Sequence, residues 1–432
     1  MAIAVSTDPV NRVVADTCAA AKRAARVLAQ TDTATKDAAL QAIAAALGER
    51  MEEILAANER DMQAGREAEI GAALLDRLRL DEARVAAIAS AVRQIVALAD
   101  PVGEVIDGQR LPNGLDVRKV RVPLGVVAVV YEARPNVTID AAALCLKSGN
   151  AIVLRGSSSA AHSNAVLARI ASEAAVAAGL PEGCVSLVAG GGREELAELA
   201  TQQGSVDLII PRGGEGLKHA LQAVATVPVI YAASGNCHVY VDASADLDQA
   251  LAILLNAKTQ RPGVCNAAET LLVHERIASE FLPRAARALA DAGVAIRADE
   301  RTHDALAANA HADLILEEAT EEDWATEYLA PVIAVSVVAS AEEAIEHIAR
   351  YGSGHSEAIV TTDTAAARAF QLGVDAACVY VNASTRFTDG GEFGMGAEIG
   401  NSTQKLHVRG PIGLRELCTF KYLIEGDGHV RC

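Results

Sequence analysis

Residues 124–234 alternate between apolar and amphipathic segments, and this alternation constrains the fold more than any other feature. The apolar segments are predicted strands, at 124–132, 150–156, 184–190, 206–213 and 227–235. The segments between them are predicted helices, at 138–149, 163–179, 193–203 and 215–225. Strands that are apolar throughout and joined by helices form a parallel sheet with helices on both faces. Ligands of such sheets bind at the carboxyl ends of the strands.

The alternation restarts near residue 237 and predicts a second α/β domain. Its predicted strands are 238–242, 268–274, 330–338, 356–362 and 377–382. Its predicted helices lie near 246–257, 276–292, 341–350 and 364–372. A cleft between two domains is the usual place for a ligand, so we expect the active site there.

Two regions depart from this alternation. Residues 8–100 show only helical periodicity, with predicted helices at 10–29, 34–47, 50–66 and 82–99. Residues 102–123 predict two long strands around a Pro-Asn-Gly turn. Because an isolated hairpin is only marginally stable, we expect this one to pair elsewhere, either across a subunit interface or with a strand in the terminal segment 405–432.

Charge and cysteine usage exclude several classes of function. The formal net charge of −18 argues against nonspecific nucleic-acid binding, which needs Lys and Arg to neutralise phosphates. The eight cysteines are scattered without CxxC spacing, which argues against a zinc site and for the reducing cytoplasm. The first residues lack a signal-peptide pattern, and no apolar run reaches about 18 residues. We therefore expect no metal and no membrane span.

Cys265 is a candidate nucleophile. It follows a Pro-Gly turn in QRPGVCNAAETLLV and precedes an apolar strand, which places the thiol on a loop or at a helix start. Backbone N–H groups there lower a thiol pKa and can form an oxyanion hole. The alternative is a buried, inert cysteine, the commonest state of a free cysteine, and the local sequence does not decide between them.

Asn136 follows the first predicted strand of the alternating region, in YEARPNVTID. An amide at a strand's carboxyl end can donate to a developing oxyanion. The alternative is an N-cap of the following helix, which the local sequence favours.

Two loops are candidates for binding phosphate groups. In the first, Arg155 and the serines after it follow a strand, which suits a phosphate but also suits an ordinary helix cap. In the second, Gly213 and Gly214 open a predicted helix whose N-terminus can face a pyrophosphate. No GxGxxG motif is present.

Two histidines, His355 and His407, lack a partner at metal-ligand spacing, so a structural role is expected for each. Lys405 and Arg409 flank His407 and are expected to be solvated.

Several segments together resemble the aldehyde dehydrogenase superfamily: RPNVTIDAAALCLKSGNAIVLRGSSS, RPGVCNAAETLLV and EYLAPVIAV. The resemblance covers essentially the whole chain. AEEAIEHIARYGSGHSEAI and FGMGAEIGNSTQKLHVRGPIGL resemble the branch whose members reduce an acyl phosphate. Asn401 departs from that pattern, which has an apolar residue there.

The resemblance implies an α/β fold of three parts. A Rossmann-type parallel-sheet domain for NADP is expected at residues 1–101 and 124–236. An α/β catalytic domain is expected at 237–404. Residues 102–123 and 405–432 are expected to form a β oligomerisation arm, which implies a homo-oligomer.

The resemblance also assigns roles to residues. Cys265 takes the place of the nucleophile and Asn136 that of the oxyanion amide. Glu327 falls where the nicotinamide ribose is held. The remaining positions expected to bind the cofactor are Arg155, Gly156, Ser157, Ser158, Gly213 and Gly214.

One departure from the wider superfamily bears on the chemistry. Members that hydrolyse their thioester have a Glu in a Glu-Leu-Gly-Gly segment, whereas the matching stretch here is VIYAASGNC. Ala232 and Ala233 lie near that place, and residues 229–237 contain no carboxylate. An enzyme that reduces an acyl phosphate must not hydrolyse its thioester, so the missing base fits that reaction.

The expected reaction is the NADPH-dependent reduction of L-glutamyl 5-phosphate to L-glutamate 5-semialdehyde and phosphate. Arg134 and Arg386 are candidate cations for the substrate's carboxylate and phosphate. Arg155 favours NADPH, although the sequence leaves NADH open. Glutamate 5-kinase, which makes the substrate, is a candidate partner. The alternatives are a hydrolytic aldehyde dehydrogenase acting on another substrate and a non-catalytic homologue.

Overall fold

The computed structural model describes residues 9–188, 192–231, 235–307 and 315–431. The chain divides into two compact units. The first comprises residues up to 232 together with 394–400 and 412–432, and the second comprises 233–393 and 401–411. The terminal part of the chain therefore contributes to both units.

Helices open the first unit, as predicted. They are α1 (Pro9–Leu28), α2 (Thr33–Glu49), α3 (Met51–Glu67), α4 (Ala72–Leu78) and α5 (Glu82–Val96). Asp32 and Asp81 cap α2 and α5 by accepting from backbone N–H groups. The short helix α4 was not predicted. None of the described helices is both long enough and apolar enough to cross a bilayer.

A hairpin follows the helices, again as predicted. Its strands are β1 (Val105–Arg110) and β2 (Asp116–Pro123), which pair in antiparallel register. Every residue of β1 is exposed. The hairpin therefore lacks a core of its own.

A four-stranded parallel sheet forms the centre of the first unit. Its strands are β3 (Val126–Tyr131), β4 (Ala151–Gly156), β5 (Val185–Leu187) and β6 (Leu208–Arg212), in the order β5-β4-β3-β6. The helices that alternate with them are α6 (Asn136–Lys147), α7 (Ala161–Ala177), α8 (Arg193–Ala200) and α9 (Glu215–Val224). All residues of β3 and β4 are buried, which explains why these strands are apolar except at Arg155.

The strand predicted at 227–235 does not form in the described residues, where Val229 makes only an isolated bridge to Ile209. Pro228 has no N–H to donate to a sheet, although its carbonyl accepts from Ile209 at 2.9 Å. The apolar character of this segment reflects burial of single residues such as Val227 and Ile230 rather than a strand.

The second unit contains a seven-stranded parallel sheet, in the order β10-β9-β11-β8-β7-β12-β13. Its strands are β7 (Cys237–Val241), β8 (Ala268–His274), β9 (Ala295–Ala298), β10 (Leu316–Glu318), β11 (Val332–Val338), β12 (Ser356–Val360) and β13 (Cys378–Val381). Its helices are α10 (Leu247–Thr259), α11 (Glu275–Asp291), α12 (Glu300–Ala307), α13 (Glu321–Ala325), α14 (Ala341–Tyr351) and α15 (Thr364–Gly373). The elements β9, β10, α12 and α13 were not predicted from the sequence.

The last strands are β14 (Asn401–Ser402), β15 (Gly410–Pro411) and β16 (Cys418–Glu425). β14 and β15 pair with each other within the second unit. β16 pairs along the whole of β2 in antiparallel register, so that β1, β2 and β16 form one sheet. The predicted pairing of the hairpin with the terminal segment is confirmed.

Candidate active site

The thiol of Cys265 lies on a loop of the second unit, between the end of α10 and the start of β8. It is partly exposed, whereas the other six described cysteines are buried. Burial raises the pKa of five of those six thiols, to about 11 for Cys184 and to about 12 for Cys418. Cys265 is therefore the most accessible of the described thiols.

Two residues contact the backbone of Cys265: Gly235, which precedes β7, and Cys237, which begins it. A Cβ on Gly235 would lie 1.5 Å from the carbonyl oxygen of Cys265, so only glycine fits at residue 235. Cys237 Sγ donates to that same carbonyl at 3.2 Å. Burial raises the pKa of Cys237 well above its ordinary value, which keeps the thiol protonated and able to donate.

Asn266, the neighbour of Cys265, ties the loop to a 3₁₀ turn at Thr385–Phe387. Its Nδ2 donates to the carbonyls of Arg386 at 3.3 Å and Thr388 at 3.0 Å. Thr385 Oγ1 donates to the Asn266 carbonyl at 2.7 Å. Two segments about 120 residues apart in sequence are thus joined beside the thiol.

Arg386, a predicted substrate-binding residue, extends from this turn. Its Nε donates to Gln260 Oε1 at 2.7 Å. Burial lowers the pKa of the guanidinium, and repulsion from Arg261 lowers it further, whereas Cys265 and Asp389 act in the opposite direction. The second unit therefore holds positive charge beside the thiol.

Glu327 also belongs to the second unit, and its Oε1 accepts from the Gly235 N–H at 2.7 Å. Two residues further on, the N–H of Leu329 donates to Glu269 Oε1 at 3.3 Å. Glu269 forms a fully buried ion pair with Lys258, at 2.5 Å. Burial raises the pKa of Glu269 to about 7 and lowers that of Lys258. This pair braces the segment that carries Glu327 from the interior.

His238 of β7 and Glu357 of β12 belong to a buried polar network. Glu357 Oε2 accepts from both the N–H of His238, at 2.7 Å, and its Nδ1, at 2.9 Å. The ring of His347 meets that of His238 edge-on, and burial lowers the pKa of His347 to about 3. Burial also lowers the pKa of His355 to about 4, and its Nδ1 bonds Ser356 Oγ at 2.8 Å. His347 and His355 are therefore neutral at physiological pH.

In the KLHVR segment, His407 and Lys405 are exposed and Arg409 is half-buried. Lys405 and Arg409 both form ion pairs with Asp375, the latter at 2.8 Å. Asn401, the departure from the family pattern, is buried and donates through Nδ2 to the Thr388 carbonyl at 3.5 Å.

Asn136 begins α6 in the first unit. The N-cap position belongs to Pro135, so the side chain of Asn136 does not cap the helix. Its Nδ2 donates to Asp140 Oδ2 at 2.9 Å. Burial raises the pKa of Asp140 to about 6, against the bond from Asn136 and the charge of Arg212. An amide with two N–H groups keeps the second one available for a ligand.

The end of β4 and the loop after it carry the predicted phosphate-binding residues. Arg155 is buried, and its Nη2 donates to the Gly192 carbonyl at 2.6 Å. Its Nε is buried without an acceptor among the described residues. Ser157 and Ser159 share a hydrogen bond of 2.6 Å, and Ser158 opens a 3₁₀ turn.

Close packing requires glycine at residue 156, since a Cβ there would lie 2.0 Å from Asn164 Nδ2.

At the start of α9, the N–H of Gly214 donates to Glu132 Oε2 at 3.2 Å. A Cβ on Gly213 would lie 2.7 Å from the carboxyl carbon of Glu132. The helix N-terminus thus already attracts a carboxylate, as its dipole predicts. The Nε of Arg155 is the donor of this region that has no acceptor among the described residues.

The predicted residues divide between the units. Cys265, Glu327 and Arg386 lie in the second unit. The first unit holds the others: Asn136, the exposed Arg134, Arg155, Gly156, Ser157, Ser158, Gly213 and Gly214. Ala232 and Ala233 lie outside the described residues. Sequence reasoning missed Gly235 and Cys237, for which the only local signal is the GNC triplet before a strand.

Comparison with known proteins places this chain. The model of the aldehyde dehydrogenase family matches residues 7–323 and 311–398. A gamma-glutamyl phosphate reductase of Moorella thermoacetica is 57% identical over 411 residues, covering 95% of this chain and 97% of the relative. One of Thermobifida fusca is 56% identical over 422 residues, covering 98% and 99%.

A solved structure agrees with these relatives. The crystal structure of gamma-glutamyl phosphate reductase from Thermotoga maritima has a TM-score of 0.94 and 46% identity, covering 97% of this chain and 99% of that one. With the fold, the family model and relatives over nearly the full length in agreement, the chain belongs to the aldehyde dehydrogenase family, in the branch of the gamma-glutamyl phosphate reductases.

Proposed function

We propose that this chain reduces L-glutamyl 5-phosphate to L-glutamate 5-semialdehyde and phosphate, with NADPH as reductant and a thioester on Cys265 as intermediate. The aldehyde then cyclises on the route to proline. The observation that carries the proposal is the accessibility of Cys265, the one described cysteine that is not buried. Its loop is held by contacts within the second unit and lies beside the positive charge of Arg386. The relatives of this chain are named for this activity.

Cys265 acts in two steps. Its thiolate attacks the γ-carbonyl carbon, the S–C bond forms, and the C–O bond to the phosphate breaks with its electron pair on the departing oxygen. When bound, NADPH supplies the hydride that reduces the thioester carbonyl. The S–C bond then breaks, which releases the aldehyde and restores the thiolate.

The oxyanion of both steps is stabilised by hydrogen bonds. The donors that we propose are the second N–H of Asn136 Nδ2 and the backbone N–H of Cys265. Asp140 accepts the first N–H and so turns the nitrogen of the amide, rather than its oxygen, toward the donor position.

The thioester must survive until it is reduced. Residues 229–237 contain no carboxylate to activate water. The nearby carboxylate of Glu327 accepts from the Gly235 N–H. We propose that Glu327 also binds the nicotinamide ribose, and that Arg134 and Arg386 bind anionic groups of the substrate.

The donor set of the first unit supports the dinucleotide. Arg155, Gly156, Ser157 and Ser158 form the proposed site for the adenosine ribose and its 2′-phosphate. The N-terminus of α9, with Gly213 and Gly214, forms the proposed site for the pyrophosphate. Arg155 supports NADPH because a buried guanidinium with an unused donor suits a phosphate better than a hydroxyl.

Three further assignments belong to the proposal. The sheet of β1, β2 and β16 acts as an oligomerisation arm, because it is thin and exposes Phe420, Tyr422 and Ile424. The seven described cysteines are thiols, which fits the cytoplasm. Because acyl phosphates react with water, direct delivery from glutamate 5-kinase is the partner arrangement that we propose.

The test is oxidation of glutamate 5-semialdehyde in the reverse direction, with NADP and NAD compared and phosphate varied. Activity that requires phosphate supports the proposal, and acid production without phosphate indicates a hydrolytic enzyme instead. Cys265→Ala is expected to lower the rate at least about 10³-fold. Cys184→Ala, at a buried cysteine of the first unit, is the control and should retain activity. Substantial turnover by Cys265→Ala would exclude the covalent route.

A further inference from the structure

Two guanidinium groups of the second unit belong to the Cys265 loop or to the turn joined to it. Arg261 lies four residues before Cys265, and Arg386 lies on the 3₁₀ turn that Asn266 ties to the Cys265 loop. Arg261 has no part in the binding and chemical steps proposed for the other site residues. The neighbouring Gln260 contacts Arg386 directly, so both arginines belong to one surface beside the thiol.

The position of Arg386 is fixed from both ends. Its N–H donates to Ser384 Oγ at 3.2 Å, and its carbonyl accepts from Asn266 at 3.3 Å. Its side chain is held by Gln260 at 2.7 Å. A guanidinium fixed in this way still has N–H groups on both terminal nitrogens to direct at a ligand.

No ion pair with a described residue neutralises either arginine. Repulsion from Arg261 is the second cause, after burial, of the lowered pKa of Arg386. Within the described part of the chain, no carboxylate forms an ion pair with either guanidinium. Asp389 interacts with Arg386 only from a longer distance.

Five of the eight other arginines of this unit form ion pairs with acidic residues. These ion pairs are Arg284–Asp248, Arg297–Glu317, Arg301–Glu275, Arg350–Glu321 and Arg409–Asp375. Two like charges that repel each other beside a nucleophile form a site suited to an anion.

We propose that Arg261 and Arg386 together bind the phosphoryl group of the acyl phosphate. This inference rests on the proposed function. In such a substrate, one oxygen joins the phosphorus to the carbon that Cys265 attacks, so the phosphoryl group must lie next to Sγ. The substrate's α-carboxylate is separated from that carbon by the rest of the side chain.

The pair has a role in the first chemical step. As the C–O bond breaks, its electron pair passes to the leaving phosphate, whose negative charge grows. Two guanidinium groups stabilise that charge by bidentate hydrogen bonds, a geometry that a single lysine does not provide. In the reverse direction, the same pair binds inorganic phosphate as the attacking nucleophile.

The first experiment measures Michaelis constants in the reverse direction for wild type and Arg261→Met. Losing a charged hydrogen-bonding partner is expected to raise the KM for phosphate about 10- to 100-fold. The KM for glutamate 5-semialdehyde should change less than about threefold, since that molecule has no phosphoryl group. Arg368→Met, at an exposed arginine of α15, is the matched control and should leave both constants unchanged.

The second experiment needs no turnover. Alkylation of Cys265 by iodoacetamide is timed in potassium phosphate and in potassium chloride at equal ionic strength. Phosphate should slow alkylation of wild type and of Arg368→Met, and should slow Arg261→Met only at concentrations at least about tenfold higher.

The outcomes separate the two proposals. Unchanged phosphate protection and an unchanged KM for phosphate in Arg261→Met overturn this inference, whatever the activity. A raised KM for the semialdehyde with an unchanged KM for phosphate also overturns it and assigns Arg261 to the α-carboxylate. Wild-type protein that never requires phosphate contradicts the proposed function, even where phosphate protects the thiol.

Discussion

The two α/β units hold their candidate site residues in different ways. In the second unit, the Cys265 loop rests on Gly235 and Cys237, and the segment of Glu327 rests on a fully buried ion pair. In the first unit, Arg155 has one hydrogen bond to a described residue, the Gly192 carbonyl, and Asn136 has one, to Asp140. The second unit surrounds its residues with buried polar contacts, whereas the first supports each with one or two.

This difference matches the function proposed for each unit. A nucleophile must be placed within a fraction of an ångström through two chemical steps, so rigid packing beneath it is an advantage. A dinucleotide must bind and leave in every turnover, and donors held by few contacts can adjust to it. Variants of single contacts test whether the second unit depends on its interior more than the first does.

The largest effect is expected for Lys258→Met. This change leaves the carboxylate of Glu269 buried without its partner, which typically costs about 3–5 kcal/mol. Urea unfolding followed by the fluorescence of Trp324, the only tryptophan, reports on the second unit. The midpoint should fall to lower urea at pH 8.

The double variant Lys258→Met with Glu269→Leu provides the control, because it removes both charges and should recover most of the lost stability. A single variant as stable as wild type would mean that the pair does not brace this unit.

Gly235→Ala is expected to have the next largest effect. The new Cβ would overlap the Cys265 carbonyl, so the loop must shift. A displacement of about 1 Å at a reacting group costs roughly 100-fold in rate. Steady-state kinetics of reduction measure the loss.

Gly263→Ala is the matched control on the same loop, where the nearest atom, Leu329 O, lies 3.7 Å from the added Cβ. Equal kinetics for the two variants, each with an unchanged melting temperature, would contradict the close packing inferred at Gly235.

The comparison also shows where the sequence was sufficient. Long apolar strands and amphipathic helices predicted both sheets, because burial on two faces leaves a continuous apolar segment. The short elements β9 and β10 were missed, since four and three residues carry too little periodicity. The segment at 227–235 was wrongly predicted to be a strand, because it is apolar although its described residues form only an isolated bridge.

Candidate site residues were predictable where a motif marks them, as at Cys265, Asn136 and Arg155. The residues that brace them were not. Gly235 is 30 positions from Cys265, and Lys258 finds Glu269 only because α10 packs on β8. Contacts between distant segments depend on the tertiary fold, which local patterns do not encode.

In the first unit, Arg155→Met tests the proposed 2′-phosphate contact. A lost charged hydrogen bond costs about 1.5–3 kcal/mol, so the KM for NADPH should rise about 10- to 100-fold. The KM for NADH should change little, because NADH has no 2′-phosphate. The ratio of the two constants is the measurement, and an equal rise in both would indicate that Arg155 only supports the Gly192 loop.

The smallest effect is expected for Asp140→Asn, read as stability against pH. Burial raises the pKa of Asp140 to about 6 in the folded protein from 3.8. A carboxyl whose folded pKa is raised contributes stability that is full below 3.8 and is lost as the pH rises through about 6. Between pH 5 and pH 8, wild type should therefore lose about 1.4 kcal/mol relative to Asp140→Asn, which does not titrate. Urea unfolding of both proteins at the two pH values measures the difference. A difference that does not change with pH would show that the carboxyl is ionised throughout, and that the first unit solvates Asp140 better than its burial suggests.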